Sequence, residues 1–324
     1  EEWYDGAKPI AEIAIVYPKS IHHIREDKEL RAAVRMLSEL KQQFDVVTLA
    51  SDWSKYRVLV FPDDVLFDEE TTKRVRQHLN EGKAVISTGF SGLDSEKKGF
   101  ALELEWGIKY LGENPFDPAY FSVGDNYSEG LPDMPLSLYS NGIDMEVLGD
   151  TRVEARLVKP YHNRDWDGEY AFYYNPPDKV TDSPALTINA QVAHFSHRIF
   201  SGYHDKASVE LRTVFSNVLN HFFPKPLVKA ENLQSFARVF VTEQPRRKMV
   251  HLLSYLPEMR GNTQMIEEPI ELSNVTLSLR QDDKNIQNIY LAPQKERLAY
   301  SIEGGYIHIK VPKSKGYSLL VIEE

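Results

Sequence analysis

Residues 57–87 read RVLVFPDDVLFDEETTKRVRQHLNEGKAVIS and contain one complete strand–helix–strand unit. Residues 57–61 form a short apolar run, which is typical of a strand buried on both faces. Asp68 predicts the N-cap of the helix that follows, and acidic residues occupy its first turn, where the helix dipole favours anions. Gly82 ends the helix, and residues 83–87 form the next strand. The stretch therefore predicts a parallel sheet with right-handed crossover connections.

The same alternation extends toward the N-terminus and predicts one α/β domain. Residues 12–17 and 45–49 are further strands, and residues 26–44 carry apolar side chains at helical spacing. The pattern predicts a flavodoxin-like or Rossmann-like fold, with a mostly parallel sheet and helices on both faces. We assign this α/β domain to residues 1–228.

The alternation is lost between residues 90 and 184, where prolines and aromatic residues accumulate and predict ordered loops. Asn189-Ala190 separates two alternating segments, which predicts a hairpin. Residues 205–223 then predict one amphipathic helix, which Pro224 terminates.

The last part of the chain, residues 229–324, predicts a small all-β sandwich. After Leu233 the sequence contains short strand-like runs separated by turns, and no segment has a helical pattern. Gly304-Gly305 lies between two of these runs and predicts a two-residue hairpin loop.

Composition excludes several classes of function. The 324 residues include 38 basic and 48 acidic side chains, which gives a net charge of −10. We therefore expect neither nucleic acid nor an anionic membrane as a partner. The sequence has no cysteine, which excludes disulfides, thiolate zinc sites and cysteine nucleophiles.

The first residue, Glu1, is not methionine, and we expect the chain to begin inside a longer precursor. The sequence does not determine the cellular compartment, and we slightly favour a periplasmic or extracellular location over a cytoplasmic one.

Several segments carry a resemblance to known proteins. EIAIVYPK, MLSELKQQFDVV and the stretch from YRVLVFPDD to TGFSGLD resemble the β-galactosidase trimerisation domain, which has a class I glutamine-amidotransferase-like fold. KPYHNRD, RRKMVHLLSYLPEMRG and GYSLLVIEE resemble the C-terminal part of bacterial α-L-fucosidase-like glycoside hydrolases, in which a β-sandwich follows that domain.

The resemblance implies a non-catalytic accessory region that supports oligomerisation and shapes the active site of an N-terminal catalytic barrel. We expect this barrel to lie outside the 324 residues of the sequence. The implied partners are the protein's own barrel, further copies of the chain, or both, with carbohydrate as an additional candidate.

One alternative is a self-contained hydrolase that uses Ser91 and His197. An amidotransferase needs a nucleophile at a sharp turn after a strand and a histidine after a late strand. Residues 88–92 (TGFSG) offer Ser91 at such a turn, and His194 and His197 follow the late strand. The competing interpretation is a glycine-rich turn with no chemistry, since the polar segment that follows does not resemble the helix of a nucleophile elbow. We therefore predict no catalytic residue in this chain.

Metal and cofactor sites are not predicted. His194 and His197 are three residues apart near a strand, a spacing that directs them to opposite faces. Asp63-Asp64 follows a strand at the sheet edge where open α/β sheets hold ligands, although an aspartate there more often caps a turn.

Aromatic and polar residues are concentrated between residues 161 and 174. Such a composition fits an interface with a barrel or a second subunit, plain packing on the sheet, or contact with a sugar, and we favour the interface. The candidate residues of this loop are Tyr161, His162, Arg164, Asp165, Trp166, Asp167 and Tyr173.

Overall fold

The computed structural model describes residues 2–18, 27–164, 175–281 and 285–324. The chain divides into two compact units. The larger unit contains Ile13–Val34 and Asp45–Pro224. The other unit contains the residues through Glu12, Arg35–Phe44 and Lys225–Glu324.

The strands of the first part of the chain are β1 (Lys8–Pro9), β2 (Ile13–Tyr17), β3 (Phe44–Thr48), β4 (Val58–Phe61), β5 (Ala84–Thr88), β6 (Ile108–Glu113), β7 (Tyr120–Val123), β8 (Leu136–Ser137), β9 (Ile143–Val147), β10 (Arg152–Pro160), β11 (Pro177–Asn189) and β12 (Val192–Phe195). Those of the last hundred residues are β13 (Val228–Glu231), β14 (Arg238–Gln244), β15 (Arg247–Ser254), β16 (Glu258–Arg260), β17 (Thr263–Met265), β18 (Glu271–Leu272), β19 (Val275–Arg280), β20 (Asn288–Ala292), β21 (Glu296–Arg297), β22 (Tyr300–Glu303), β23 (Tyr306–Val311) and β24 (Ser314–Glu323). The helices are α1 (Lys28–Glu39), α2 (Glu69–Asn80), α3 (Glu103–Trp106), α4 (Ile199–Lys206) and α5 (Val209–Phe222).

The larger unit is built on one sheet with the strand order β3-β2-β4-β5-β12-β11-β10-β7-β8. The pairs β2–β4, β4–β5 and β5–β12 are parallel. Asp68 caps α2, because its side chain accepts a hydrogen bond from the backbone nitrogen of Thr71 at 2.8 Å. The predicted strand–helix–strand unit at residues 57–87 is therefore confirmed.

The prediction of a mostly parallel sheet is only partly correct. From β12 to β8, each strand pairs with its neighbour in antiparallel orientation. The reason lies between residues 90 and 184, where we predicted loops and the structure has strands. These strands lack long helical crossovers, so consecutive strands can pair directly and antiparallel.

The predicted helix at residues 205–223 corresponds to α5, and its first two residues are instead the end of a preceding helix, α4. Ala207 separates them in a left-handed conformation with φ of 49°. Ser208 then caps α5 by accepting a hydrogen bond from the backbone nitrogen of Leu211. The predicted hairpin at Asn189-Ala190 is present, with β11 paired to β12.

The other unit is the predicted β-sandwich. One sheet has the order β1-β14-β15-β24-β20-β21, with β18 added on β24, and the second has the order β13-β19-β23-β22. Side chains of both sheets, among them Val241, Leu252, Leu277 and Ile309, form one buried apolar cluster. As predicted, Gly304-Gly305 connects β22 to β23, and the described residues beyond Leu233 contain no helix.

Two segments from the first part of the chain, β1 and Arg35–Phe44, also belong to this sandwich unit. The sequence did not predict their place in it. The N-terminal strand β1 pairs with β14. Lys41 is buried, and its ammonium group donates hydrogen bonds to the carbonyl oxygens of Gln234, Ser235 and Ala237 at 2.9, 3.0 and 2.7 Å. Three carbonyl acceptors compensate part of the cost of removing this cation from water.

No helix within the described ranges has both the length and the apolar composition that a membrane crossing requires.

Candidate functional site

The corner after β4 is built around Asp63, which is buried and has a left-handed backbone with φ of 55°. Its carboxylate accepts hydrogen bonds from the Thr88 hydroxyl at 2.6 Å and from the Ser201 hydroxyl at 2.6 Å. It also accepts hydrogen bonds from the backbone nitrogens of Phe200 and Ser201 at 3.2 and 2.7 Å. The first amides of a helix have no partner within the helix, so Asp63 caps α4 from a distant part of the sequence.

Both aspartates of this corner hold the start of α4. Burial raises the pKa of Asp63 to about 6, against the opposing effect of its hydrogen bonds. Asp64 is partly exposed and forms an ion pair with Arg198, the residue before α4, at 2.9 Å. The Arg198 guanidinium also lies over the Phe90 ring, 4.3 Å from its centroid. The two carboxylates are therefore occupied by contacts within the protein.

The structure places Ser91 and His197 in separate hydrogen-bonding environments. Both side chains are buried. The Ser91 hydroxyl accepts a hydrogen bond from the Val65 backbone nitrogen at 3.0 Å, and His197 Nδ1 is hydrogen-bonded to the Ser196 hydroxyl at 2.9 Å. Both residues are described, and no hydrogen bond joins them, so the hydrolase hypothesis gains no support from these contacts.

His194 belongs to a buried polar group on neighbouring strands. Its Nδ1 is hydrogen-bonded to the Ser87 hydroxyl at 2.9 Å, and the Trp106 indole nitrogen donates to the same hydroxyl at 3.0 Å. Burial lowers the pKa of His194 and of His197 to about 3, so both rings are neutral at neutral pH. The part of the chain that the structure describes contains no cluster of three or more His, Asp or Glu side chains that could hold a metal ion.

The aromatic loop is carried by a two-stranded ribbon. Strands β10 and β11 pair as far as Pro160 and Pro177, and Lys159 forms an ion pair with Asp178 at 3.1 Å near that end. Tyr161 follows directly and is 72% exposed. The predicted site residues Asp165, Trp166, Asp167 and Tyr173 lie outside the described residues.

The other two predicted loop residues, His162 and Arg164, contact neighbouring residues of the protein. The His162 backbone nitrogen donates to the Asn175 side-chain oxygen at 3.2 Å, and the Arg164 guanidinium lies 4.0 Å from the Asp117 carboxylate. Arg164 also lines a cleft of about 600 Å³, which the sequence did not reveal. The structure thus connects one end of the aromatic loop to a concave surface.

The walls of this cleft come from residues 114–120 and 137–141, together with Arg164 and Lys206. Tyr139 is 47% exposed there and has a left-handed backbone with φ of 57°, a conformation that bulky residues rarely adopt. Nothing in the local sequence pattern signalled this conformation.

The segment that carries Tyr139 is fixed from both sides. The Leu138 backbone nitrogen donates to the Ala119 carbonyl oxygen at 3.0 Å. On the other side, Gly202 of α4 approaches so closely that a Cβ atom there would lie 2.4 Å from the Leu138 carbonyl oxygen. Asn141 is in turn hydrogen-bonded to the Arg198 guanidinium. The Asp63 corner therefore positions α4, and α4 supports one wall of the cleft.

Comparison with known proteins identifies part of the chain. Residues 12–107 match the family model of the beta-galactosidase trimerisation domain. Over 52 residues, the sequence is 40% identical to the beta-galactosidase BbgII of Bifidobacterium bifidum, a match that covers 16% of this chain and 8% of that protein. The resemblance to the trimerisation domain is confirmed for this part of the sequence.

Solved structures extend the similarity to nearly the whole chain. The fold matches alpha-L-fucosidase isoenzyme 2 from Paenibacillus thiaminolyticus with a TM-score of 0.89 and 27% identity, over 99% of this chain and 50% of that one. It also matches Gan42B, a GH42 beta-galactosidase from G. stearothermophilus, with a TM-score of 0.60 and 16% identity, over 97% of this chain and 40% of that one. The chain therefore spans half or less of the length of these enzymes.

Proposed function

We propose that this chain is the non-catalytic assembly region of a glycoside hydrolase. It holds subunits together and supports a catalytic barrel supplied by the rest of the parent protein. The match of residues 12–107 to the beta-galactosidase trimerisation domain carries this proposal. The similarity of the whole fold to about half of an alpha-L-fucosidase supports it.

The contacts at the sheet edge fit a region that has no catalytic activity of its own. Ser91 is buried and bound to the backbone, and the carboxylates of Asp63 and Asp64 hold α4. A nucleophile must be accessible to its substrate and close to its base. These observations favour assembly over the alternative hydrolase that uses Ser91 and His197.

The ribbon of β10 and β11 is our candidate for the contact with a second subunit or with the barrel. Tyr161 at its end is largely exposed, and Val180 on β11 is 47% exposed. Tyrosine, tryptophan and arginine are enriched at the centres of protein interfaces, and the loop contains all three. We also propose that the predicted parts 1–228 and 229–324 correspond to separate domains of this region, except that β1 and Arg35–Phe44 belong to the sandwich.

The test is the oligomeric state of the purified chain, measured by light scattering and sedimentation. We expect a concentration-dependent oligomer, which Tyr161→Ala weakens. Tyr300→Ala is the matched control, since Tyr300 is 43% exposed on the sandwich strand β22 and should leave assembly unchanged. A chain that stays monomeric at all concentrations, both alone and joined to its barrel, would contradict the proposal.

A further inference from the structure

We propose that the cleft between residues 114–120 and 137–141 is a binding site for an oligosaccharide. Its volume of about 600 Å³ lies within the range of small-molecule sites in proteins. The cleft belongs entirely to the larger unit and does not need a second chain to form.

The lining has the chemical character that sugars require. Phe116, Tyr120 and Tyr139 contribute rings, whose apolar faces stack against the C–H face of a pyranose. Within the described residues, the hydroxyl groups of Ser137 and Tyr139 have no hydrogen-bond partner in the protein, and the Lys206 ammonium has no ion pair. These groups are available to the hydroxyls of a bound sugar.

The conformation of Tyr139 is the second observation that points to a ligand. A tyrosine in the left-handed region is strained, and strained residues persist where the surrounding structure holds them and are concentrated at ligand sites. Here the hydrogen bond of Leu138 to Ala119 and the close approach of Gly202 hold the segment in place. The backbone that carries the ring is thereby fixed before any ligand arrives, which lowers the entropy cost of binding.

In this proposal the aromatic ring and the polar groups contact different parts of the sugar. The Tyr139 ring forms the stacking platform, while Ser137 and Lys206 bind hydroxyl or carboxylate oxygens of the sugar. The Tyr120 hydroxyl already donates to the Asn175 carbonyl oxygen, so this residue contributes only its ring. The choice of an oligosaccharide as the ligand rests on the proposed function, because a glycoside hydrolase acts on glycans.

The experiment is a calorimetric titration of the full chain with two panels of oligosaccharides. One panel contains neutral galactose- and fucose-containing oligosaccharides, and the other contains their uronate counterparts. We expect saturable binding with Kd of about 1 mM or tighter in at least one panel. Tyr139→Phe keeps the ring and should bind within about threefold of the natural chain, whereas Tyr139→Gly should weaken binding about tenfold or more.

Glycine accepts the left-handed backbone, so Tyr139→Gly removes the ring without adding strain and separates binding from folding. The absence of saturable binding up to about 10 mM, or equal binding by the Gly and Phe variants, would overturn the proposal. Dissociation of an oligomer by Tyr139→Gly without any sugar binding would also overturn it, since the cleft would then be an interface. Binding by a chain that remains monomeric, both alone and joined to its barrel, would support the cleft and contradict only the assembly proposal.

Discussion

Lowering the pH from 7 to 5 should destabilise the α/β unit through three buried histidines. Burial lowers the pKa of His194 and His197 to about 3 and that of His78 to about 4. In the unfolded chain a histidine has a pKa of about 6.5. The unfolded state therefore binds protons that the folded state does not, and stability falls as the pH drops below 6.5.

The size of the effect follows from these values. Because pH 5 lies above all three folded pKa values, the loss of folding free energy depends only on the histidine pKa in the unfolded chain. For each histidine the loss is about 1.4 kcal/mol per pH unit below 6.5. Each histidine then costs about 2 kcal/mol at pH 5, which gives about 6 kcal/mol for the three.

Asp63 acts in the opposite direction, since its pKa is raised to about 6 in the fold. Its protonation between pH 6 and 5 stabilises the folded state by about 1.4 kcal/mol. The net loss of about 5 kcal/mol is comparable to the whole stability of many domains.

Urea denaturation at a series of pH values, followed by tryptophan fluorescence, measures this loss. Trp53 and Trp106 are buried in the same unit and report its unfolding. In His194→Gln, the drop between pH 7 and 5 should shrink by about 2 kcal/mol, because glutamine does not titrate. A free energy of unfolding that is constant between pH 7 and 5, or a drop that the variant leaves unchanged, would refute the reasoning.

Gly202→Ala should cost about 2–3 kcal/mol in thermal or urea denaturation, since the new Cβ would meet a backbone carbonyl oxygen at 2.4 Å. Gly99→Ala is its control, because nothing lies within 4 Å there, and an equal loss in both variants would contradict the clash. Leu277→Asp should cost about 3 kcal/mol or more, because it puts an unpaired charge in the sandwich core, whereas the half-buried Thr276→Asp on the same strand should lie within about 1 kcal/mol of the natural chain. The purified chain should hydrolyse neither glutamine nor aryl glycosides above background, and turnover that disappears in Ser91→Ala would reverse our choice of function.

Local sequence patterns were sufficient for the parallel part of the sheet. The β4–α2–β5 unit could be predicted because its apolar runs, its N-cap at Asp68 and its terminating glycine are all encoded within about thirty residues. The antiparallel part could not be predicted in the same way. Its strands depend on partners far along the chain, and the prolines and aromatic residues between residues 90 and 184 obscured their alternation.

Only the residue types of the candidate site could be predicted from the sequence. The exposed Tyr161 and the contact of Arg164 lie in the segment that the sequence singled out. The cleft itself escaped prediction, because its walls come from segments that are distant in sequence and its central feature is the backbone conformation of Tyr139. Tertiary contacts impose that conformation, and no residue-type preference would suggest it.

The buried ammonium of Lys41 limits how evolution can recombine this protein. A genetic exchange that transferred residues 229–324 alone would leave behind both Lys41 and the edge strand β1. The transferred sandwich would then contain carbonyl oxygens without their donor, and β14 would become an edge strand that is open to aggregation on the side that β1 normally covers. An exchange that keeps the sandwich intact would therefore have to transfer β1 and the segment that carries Lys41 together with residues 229–324.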